Sequence, residues 1–268
     1  MSLSAIMRVS IFFFFTATLA AAVHADTEDA FYRSKNNGTL TVGYVILAPW
    51  VQKDPRNGTL SGAYIDLIEE IARQSSLKLT YVETTWPTFP ASLANGTFDV
   101  SIVPSYITIQ RANAISFTNP ISYLGNTAIV RSTDDRFKSV YDLNKAGIKV
   151  SVMQGEQGHD FARVSLPHAE ISALATGDQN LIYTDVLTGR SDAALGDIGS
   201  ISSFLTRNPG LKDIAPGAPY SILPVSWAVR YPDQAMRSFL NSSIEYLHGN
   251  GIIAAVHKKW KVPGETRP

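Results

Sequence analysis

The sequence predicts an α/β protein made of two wound units, and two observations lead to this class. Short β-branched runs alternate with stretches of helical periodicity, and the chain completes a β-α-β-α-β set twice. Residues 96–101 and 189–194 also share a pattern in which glycine precedes aspartate by three positions and a strand follows. We therefore expect two lobes of like design, each with a mostly parallel sheet.

The first lobe is expected to span residues 26–130. Pro49 stops its opening strand, and the turn Asn95-Gly96 leads into its third strand. The predicted elements are strand 40–46, a helix that begins at Asp66, strand 77–83, a short helix at 86–93 and strand 98–103.

The second lobe is expected to span residues 131–224, and the chain then returns to the first lobe over residues 225–268. Gly189 is placed to end the helix before the last strand of the second set. The predicted elements are strands 128–131, 148–152, 171–173, 192–195 and 225–230, and helices 140–143, 159–165, 179–188, 234–249 and 252–260.

Composition and charge limit the function classes. The chain has 268 residues, 45% of them hydrophobic, with a formal net charge of +0 and no cysteine. This composition is typical of a globular protein, and its balanced charge argues against nucleic acid as a partner. Without cysteine the protein has no disulfide, so its stability must come from core burial.

The N-terminus is typical of an export signal. Arg8 precedes an apolar run over residues 9–23, and Val23-His24-Ala25 fits the small-x-small cleavage pattern. We expect residues 1–25 to be a signal peptide that is removed on export. The run is short for a transmembrane helix, although an uncleaved anchor is the alternative.

Two charged side chains are candidates for ligand binding. Arg111 follows the third strand of the first lobe, and Asp197 ends the last strand of the second. Ligands bind at the carboxyl edge of wound sheets, and a cation on one lobe with an anion on the other suits a zwitterion. Trp50 and Trp86 follow strands of the first lobe and offer stacking surfaces. The alternatives are a surface salt bridge for Arg111 and core packing for each tryptophan.

The sequence contains no recognisable catalytic or metal-binding motif. It has no Gly-x-Ser-x-Gly, and the histidines at 159, 168, 248 and 257 are not at metal-ligand spacing. Residues 147–158 lack the lysine of a phosphate loop and the glycine pattern of a dinucleotide site. We therefore predict a binding protein without catalytic residues, metal or cofactor.

Several short motifs, each weak alone, occur in a specific order. They are Leu40-Thr41-Val42-Gly43 through Pro49-Trp50, Gly62-Ala63-Tyr64-Ile65-Asp66-Leu67, Trp86 with residues 93–100, Thr108 to Arg111 followed by Phe117-Thr118-Asn119-Pro120, and Gly249-Asn250-Gly251 through Lys259-Trp260. In this order they resemble the family 3 extracellular solute-binding proteins, the polar amino-acid receptors of ABC transporters. The resemblance covers nearly the whole chain after residue 25.

The resemblance implies the type II periplasmic binding fold, with two α/β lobes joined by two hinge strands and closing on a ligand. It implies that Arg111 binds an α-carboxylate and Asp197 an α-ammonium, with Trp86 stacked on the ligand and Leu47 facing it. The implied location is the periplasm, and the implied partners are a small molecule, expected to be an amino acid, and an ABC transporter permease. The default assembly is a monomer.

The chain departs from the family pattern at positions that normally contact the ligand. Pro104 stands where the family usually has glycine, Tyr106 where it has serine or threonine, and Glu156 where it has threonine. With Gln157 beside it, Glu156 is a further candidate ligand-binding residue. A carboxylate there would repel a ligand carboxylate unless it turns away, is protonated or meets a cationic side chain. A cationic ligand, an aromatic ligand or one that is not an α-amino acid is therefore an alternative.

Two other functions on the same fold are open. Cyclohexadienyl dehydratases resemble this chain around Trp86-Pro87 and Phe161-Ala162-Arg163, but the acid expected shortly after Asp197 is absent, since residues 198–200 are Ile-Gly-Ser. Glu156 could serve as an acid in its place. The third reading is an accessory protein that reports a ligand to a membrane partner, although no signalling domain is fused to the chain.

Overall fold

The computed structural model describes residues 28–262, which form a mixed α/β fold. The predicted signal peptide, residues 1–25, lies outside them. The strands are β1 Thr39–Tyr44, β2 Gln52–Lys53, β3 Leu60–Ser61, β4 Lys78–Glu83, β5 Val100–Tyr106, β6 Ser116–Phe117, β7 Ser122–Arg131, β8 Lys149–Met153, β9 Glu170–Leu174, β10 Ala193–Asp197, β11 Leu211–Asp213 and β12 Ser221–Val229. The helices are α1 Ala30–Asn37, α2 Ala63–Ser75, α3 Phe89–Ala94, α4 Ile109–Ala112, a 3-10 helix at Val140–Leu143, α5 Gln157–Ser165, α6 Asn180–Leu187, α7 Ile198–Leu205, α8 Gln234–Gly249 and α9 Ile252–Trp260.

One continuous sheet runs in the order β4-β1-β5-β12-β7-β10-β8-β9. β1 pairs in parallel with β4 and β5, and β8 pairs in parallel with β9 and β10. We call the half with β1, β4 and β5 the first unit and the half with β8, β9 and β10 the second unit. In each, the first strand lies between the second and the third, so the predicted pair of β-α-β-α-β sets is confirmed.

The long strands β7 and β12 connect the two units. They pair with each other antiparallel, and each also pairs antiparallel with the inner strand of one unit, β10 or β5. The chain thus leaves the first unit along β7 and returns along β12, which is the two-strand hinge that the resemblance implies. The lobe boundaries at residues 130 and 225 stay predictions.

The aspartates of the repeated sequence pattern occupy equivalent places in the two units. Asp99 N donates to Thr41 O at 2.8 Å, and Thr41 N donates to Asp99 Oδ2 at 2.9 Å. Asp192 N likewise donates to Lys149 O at 2.8 Å, and Lys149 N donates to Asp192 Oδ2 at 3.0 Å. Each aspartate therefore closes a two-point bridge between the third and first strands of its unit, which explains why the pattern recurs.

The strand predicted to end at residue 103 is longer in the structure. β5 continues to Tyr106 and is buried throughout. Pro104 lacks an N–H and would break a regular ladder, but the pairing with β12 shifts register between Ser226 and Ala228. A bulge at this point accommodates the proline, so the strand carries Ser105 and Tyr106 onward toward α4.

The two ends of the described chain are tied together by reciprocal helix capping. The Asp29 carboxylate accepts from Ala235 N at 2.7 Å and from Met236 N at 3.0 Å, at the start of α8. The Asp233 carboxylate accepts from Ala30 N at 3.0 Å, at the start of α1. Side-chain acceptors satisfy N–H groups that a helix leaves unpaired in its first turn, so each aspartate stabilises the other helix.

Each unit has its own apolar core. In the first unit α2, α8 and α9 pack against the sheet, and in the second unit the buried residues of β7, β8 and β10 face α5 on one side and α6 and α7 on the other. No helix within residues 28–262 is long and apolar enough to cross a membrane.

Candidate functional site

Arg111 lies just beyond the inner strand of the first unit, in the short helix α4. Thr108 caps this helix, because its Oγ1 accepts a hydrogen bond from Arg111 N at 3.2 Å. The Thr-x-x-Arg spacing thus holds the backbone of Arg111 in a helical turn. The side chain points inward, and the residue is only 6% exposed.

The Arg111 guanidinium is held by neutral acceptors. Nη1 donates to Ser105 Oγ at 3.2 Å and to Tyr106 O at 3.4 Å, and Nη2 donates to Gly155 O at 2.7 Å. No carboxylate within residues 28–262 forms an ion pair with it. A guanidinium has five N–H donors, so two remain for another acceptor. Burial lowers the pKa of Arg111 from its ordinary value, yet arginine remains charged in proteins.

Two aromatic rings lie against this cation. Arg111 Cζ is 5.8 Å from the ring centroid of Trp86 and 5.9 Å from that of Phe89. The two rings meet edge to face, at 6.2 Å between centroids. These contacts orient the guanidinium without neutralising its charge.

Asp197 ends β10 in the second unit and caps α7. Its Oδ1 accepts from Ser200 N at 2.8 Å, and the residue is 2% exposed. Burial raises the pKa of Asp197, although hydrogen bonds from Ser200, Gln179 and Gly199 oppose that shift. Like Arg111, this group has no ion-pair partner within the described chain.

Glu156 lies beside Asp197 in the second unit, and the two carboxylates share one amide. Gln179 Nε2 is 3.3 Å from Glu156 Oε1 and 3.5 Å from Asp197 Oδ2. Glu156 is 4% exposed, and its Oε2 has no partner among the described residues. Burial, together with the nearby charge of Asp197, raises the pKa of Glu156 to about 8, and Arg111 acts in the opposite direction.

Tyrosine hydroxyls surround these charges. Tyr220 donates to Gln157 Oε1 at 3.1 Å. The Tyr183 hydroxyl is buried and finds no partner within residues 28–262. Burial and the nearby carboxylates raise the pKa values of Tyr106, Tyr183 and Tyr220, so all three are neutral at physiological pH.

The remaining candidates, Leu47 and Trp50, lie in different surroundings. Leu47 is half-buried, packs against the apolar cluster of Trp86, and lines a cleft of about 270 Å³ whose opposite wall includes Gln179 and Tyr183. Trp50 is 1% exposed and belongs to the core of the first unit. The structure therefore gathers Arg111, Asp197, Trp86, Tyr106, Glu156 and Gln157 between the units, places Leu47 at the edge of that group, and places Trp50 outside it.

Comparison with known proteins identifies the family to which this chain belongs. Residues 40–263 match the family model for bacterial extracellular solute-binding proteins, family 3. The chain belongs to this family. It is a solute-binding protein with the type II periplasmic binding fold, as its sequence motifs predict.

Relatives within and around this family include binding proteins and an enzyme. The chain is 24% identical over 207 residues to the ABC transporter arginine-binding protein 1 of Escherichia coli, covering 76% of this chain and 83% of the relative. It is 22% identical over 204 residues to the cyclohexadienyl dehydratase of Pseudomonas aeruginosa, covering 76% and 75%. Among solved structures, the ancestral amino acid-binding protein AncCDT-1, a precursor of cyclohexadienyl dehydratase, superimposes with a TM-score of 0.78 at 26% identity, covering 87% of this chain and 99% of that one.

Sequence analysis of this solute-binding protein does not identify Gln179, Tyr183 or Gly155 as site residues. Gln179 precedes α6 and Tyr183 lies one turn into it, so only the fold brings them to the carboxylates. Gly155 contributes a backbone carbonyl, which no side-chain pattern reports. No group of three or more histidine, cysteine, aspartate or glutamate side chains within residues 28–262 is arranged to hold a metal ion.

Proposed function

We propose that this solute-binding protein captures an α-amino acid between its two units. The observation that carries the proposal is Arg111, a buried guanidinium with neutral acceptors and two spare N–H donors. A buried charge is strongly disfavoured unless it is paired, and a carboxylate matches the fork of a guanidinium in two-point contact. Arg111 therefore binds the α-carboxylate of the ligand.

Asp197 is the counterpart that binds the α-ammonium. It comes from the second unit, whereas Arg111 comes from the first, so a zwitterion contacts both units at once. A ligand that contacts both units favours the closed arrangement by the difference between its affinities for the closed and open forms. Trp86, beside Arg111, and Leu47, at the cleft, supply apolar walls to the ligand.

The captured ligand is delivered to an ABC transporter permease by a monomer in the periplasm. The matched family is extracellular and solute-binding, and the Escherichia coli relative is named as an ABC transporter arginine-binding protein. The predicted signal peptide at residues 1–25 agrees with export.

Isothermal titration with the mature chain, residues 26–268, tests this function. A thermal-shift screen of the standard amino acids first finds the ligand, since binding to the native state raises the melting temperature. Replacing Arg111 with alanine should weaken binding by roughly 10- to 100-fold or more, because a hydrogen-bonded charge contributes about 1.5–3 kcal/mol. Arg56→Ala, at an exposed arginine paired with Asp54, is the control. Unchanged affinity in the Arg111 variant would refute the carboxylate assignment.

Asp197→Asn tests the other end of the ligand. The variant should weaken binding of the amino acid more than binding of its deaminated analogue, which keeps the carboxylate and lacks the ammonium. Equal losses of affinity for the two compounds would show that Asp197 does not bind the ammonium, and would leave the assignment of Arg111 unchanged.

A second candidate function is a dehydratase. Glu156 is a buried carboxyl whose pKa is raised to about 8, so it is protonated at neutral pH and able to give a proton to a leaving hydroxyl. One relative is named cyclohexadienyl dehydratase. Incubation of the mature chain with prephenate or arogenate, followed by chromatography, decides between the functions, since a binding protein leaves both compounds intact.

A further inference from the structure

When a neutral amino acid is bound, one carboxyl group of the candidate site has no ionic partner. Arg111 contributes one positive charge, while Glu156 and Asp197 contribute two carboxyl groups. An α-carboxylate on Arg111 and an α-ammonium on Asp197 leave Glu156 without an ionic partner. Its Oε2 has no hydrogen-bond partner within residues 28–262 either. A second cationic nitrogen on the ligand would satisfy it.

Gln179 lies between the two carboxyl groups that would meet the cationic nitrogens of such a ligand. Gln179 Nε2 lies 3.3 Å from Glu156 Oε1 and 3.5 Å from Asp197 Oδ2, so the two carboxyl groups bracket one N–H donor. The Gln179 Oε1 and the Tyr183 hydroxyl are also buried and without partners among the described residues. Gly196 makes room for this cluster, because a Cβ there would meet the Tyr183 hydroxyl and come within 3.2 Å of Gln179 Nε2.

We propose, resting on the proposed function, that Glu156 is the specificity-determining residue for a ligand with two cationic nitrogens, a basic α-amino acid of the lysine, ornithine or arginine class. Glu156 binds the side-chain cation, with Gln179 Oε1 and the Tyr183 hydroxyl as additional acceptors. Asp197 binds the α-ammonium close by, so the two cations of the ligand occupy neighbouring carboxylates. Gln179 and Tyr183 also line the cleft that contains Leu47.

The groups that face Glu156 support this assignment. Asp197 from β10 and Arg111 from α4 act on its charge, and Tyr106, Tyr183 and Tyr220 approach from β5, α6 and the segment before β12. The tyrosines are neutral, and the proposed function pairs Arg111 with the α-carboxylate of the ligand. Once Arg111 is paired with the ligand carboxylate, no second cationic side chain among residues 28–262 acts on Glu156, so a ligand cation is needed to compensate its ionised form.

The test compares lysine with Nε-acetyl-lysine, which keeps the α-groups and the four side-chain carbons but has a longer, neutral amide in place of the side-chain cation. By isothermal titration at pH 7.5 the protein should prefer lysine by roughly 10- to 100-fold, the range expected for a buried charged hydrogen bond. Glu156→Gln should abolish this preference. Glu170→Gln, which removes an exposed carboxylate paired with Lys149 on the surface of the second unit, is the control and should keep the preference.

A second readout follows the proton on Glu156. Glu156 is protonated in the empty site at pH 7 and must ionise to bind a cation, so lysine binding releases a proton that glutamine binding does not. Titration in two buffers of different ionisation enthalpy measures this difference, which Glu156→Gln should remove. Because Asp197 contributes equally with both ligands, the difference isolates Glu156.

The outcomes separate this inference from the proposed function. A lysine preference that persists in Glu156→Gln, or its absence in the unmodified protein, overturns the inference while glutamine binding and its dependence on Arg111 still support the proposed function. Diamines such as putrescine or agmatine give a third outcome. If they bind to the unmodified protein and to Arg111→Ala equally well, but more weakly to Glu156→Gln, the role of Glu156 stands and the α-carboxylate assignment fails. Failure of every amino acid and every diamine to bind overturns both.

Discussion

Arg111 and Gly155 join the two units directly. Arg111 Nη2, from the first unit, donates to Gly155 O, from the second, at 2.7 Å. Gly155 has a φ of +80°, a conformation that other residues rarely adopt, and its Cα faces Pro87 of the first unit. The residue that would anchor the ligand therefore also contacts the loop that closes over it.

Gly155→Ala should weaken ligand binding. A Cβ at this position would lie 3.2 Å from both Cα and N of Pro87, which is backbone and cannot turn away. Overpacking of this kind typically costs about 1–3 kcal/mol, so we expect affinity to fall roughly 5- to 100-fold as the units are held apart. Isothermal titration with the ligand found by screening measures the loss.

Gly147→Ala is the matched control for that variant. Gly147 has nearly the same conformation, with a φ of +79°, but the space that its Cβ would enter is open, with nothing beyond the chain neighbours within 4 Å. Both variants bear a similar backbone cost of about 1–2 kcal/mol, and only Gly155→Ala bears the clash. Equal affinities in the two variants would show that the contact with Pro87 has no part in closure.

Trp86 should report ligand binding by its fluorescence. The chain has four tryptophans; Trp50 and Trp227 lie in the core, and Trp260 donates to Asp66 Oδ2 at 2.7 Å on α2. Trp86 alone of the four lies against Arg111. Ligand should therefore change the emission of the unmodified protein and of Trp260→Phe, but not of Trp86→Phe.

A Trp86→Phe variant that still binds ligand by titration and still changes its emission would place the ligand away from Trp86. Loss of binding altogether would be a different result, which the same titration detects. We expect Trp86→Phe to bind the ligand, since phenylalanine keeps an aromatic face beside Arg111. Its emission spectrum should not change when the ligand is added.

The order of strands and helices could be predicted from the sequence because it depends on local sequence patterns. The glycine–aspartate pattern predicts equivalent units, and Asp99 and Asp192 make the same two-point bridges in the structure. The predicted end of β5 at residue 103, just before Pro104, is wrong because the register shift between Ser226 and Ala228 of β12 lets the strand continue. That register shift depends on a partner strand far away in the sequence, so local propensity does not report it.

Only part of the candidate site could be predicted from the sequence, because some of its residues are brought together by the fold alone. Arg111 and Asp197 follow strands at a sheet edge, so their positions can be inferred from the order of elements. Gln179 and Tyr183 are an ordinary helix start and an ordinary helical tyrosine until the fold brings them to Glu156. A large apolar residue such as Trp50 carries no local signal that separates a core position from a ligand wall.

Asp233→Ala should destabilise the fold without touching the site. Asp233 is fully buried, caps α1 through Ala30 N and pairs with Arg230, whose Nε lies 2.6 Å from Asp233 Oδ2. Removing one partner of a buried pair typically costs about 3–5 kcal/mol, because the other charge is left buried. We expect a melting temperature lower by roughly 6–20 °C, at about 2–4 °C per kcal/mol for a chain of this size.

Asp135→Ala provides the comparison for a surface pair. Asp135 is exposed and meets Lys212 Nζ at 2.7 Å. Exposed ion pairs contribute about 0–1 kcal/mol, so the melting temperature should change by no more than a few degrees. Similar losses in Asp233→Ala and Asp135→Ala, measured by differential scanning calorimetry, would contradict the reciprocal capping of α1 and α8.

The stability of the ligand-free protein should fall as the pH rises from 6 to 9. The pKa of Glu156 is raised to about 8 in the folded chain by burial and by Asp197, whereas an unfolded glutamate titrates near 4.3. The folded state thus holds a proton that the unfolded state has lost. The contribution of Glu156 is fully present below about pH 4.5 and is lost as the pH rises through about 8, at up to about 1.4 kcal/mol per pH unit in between.

Glu156→Gln isolates this contribution, since the amide cannot ionise. Asp197 also has a raised pKa and remains in the variant, Arg111 stays charged, and Tyr106, Tyr183 and Tyr220 stay neutral through the interval. Between pH 6 and 9 the melting temperature of the unmodified protein should therefore fall several degrees further than that of the variant. Parallel curves would mean that Glu156 is ionised and hydrated in the empty site. Saturating lysine should make the fall of the unmodified protein shallower, because a bound cation favours the ionised carboxylate.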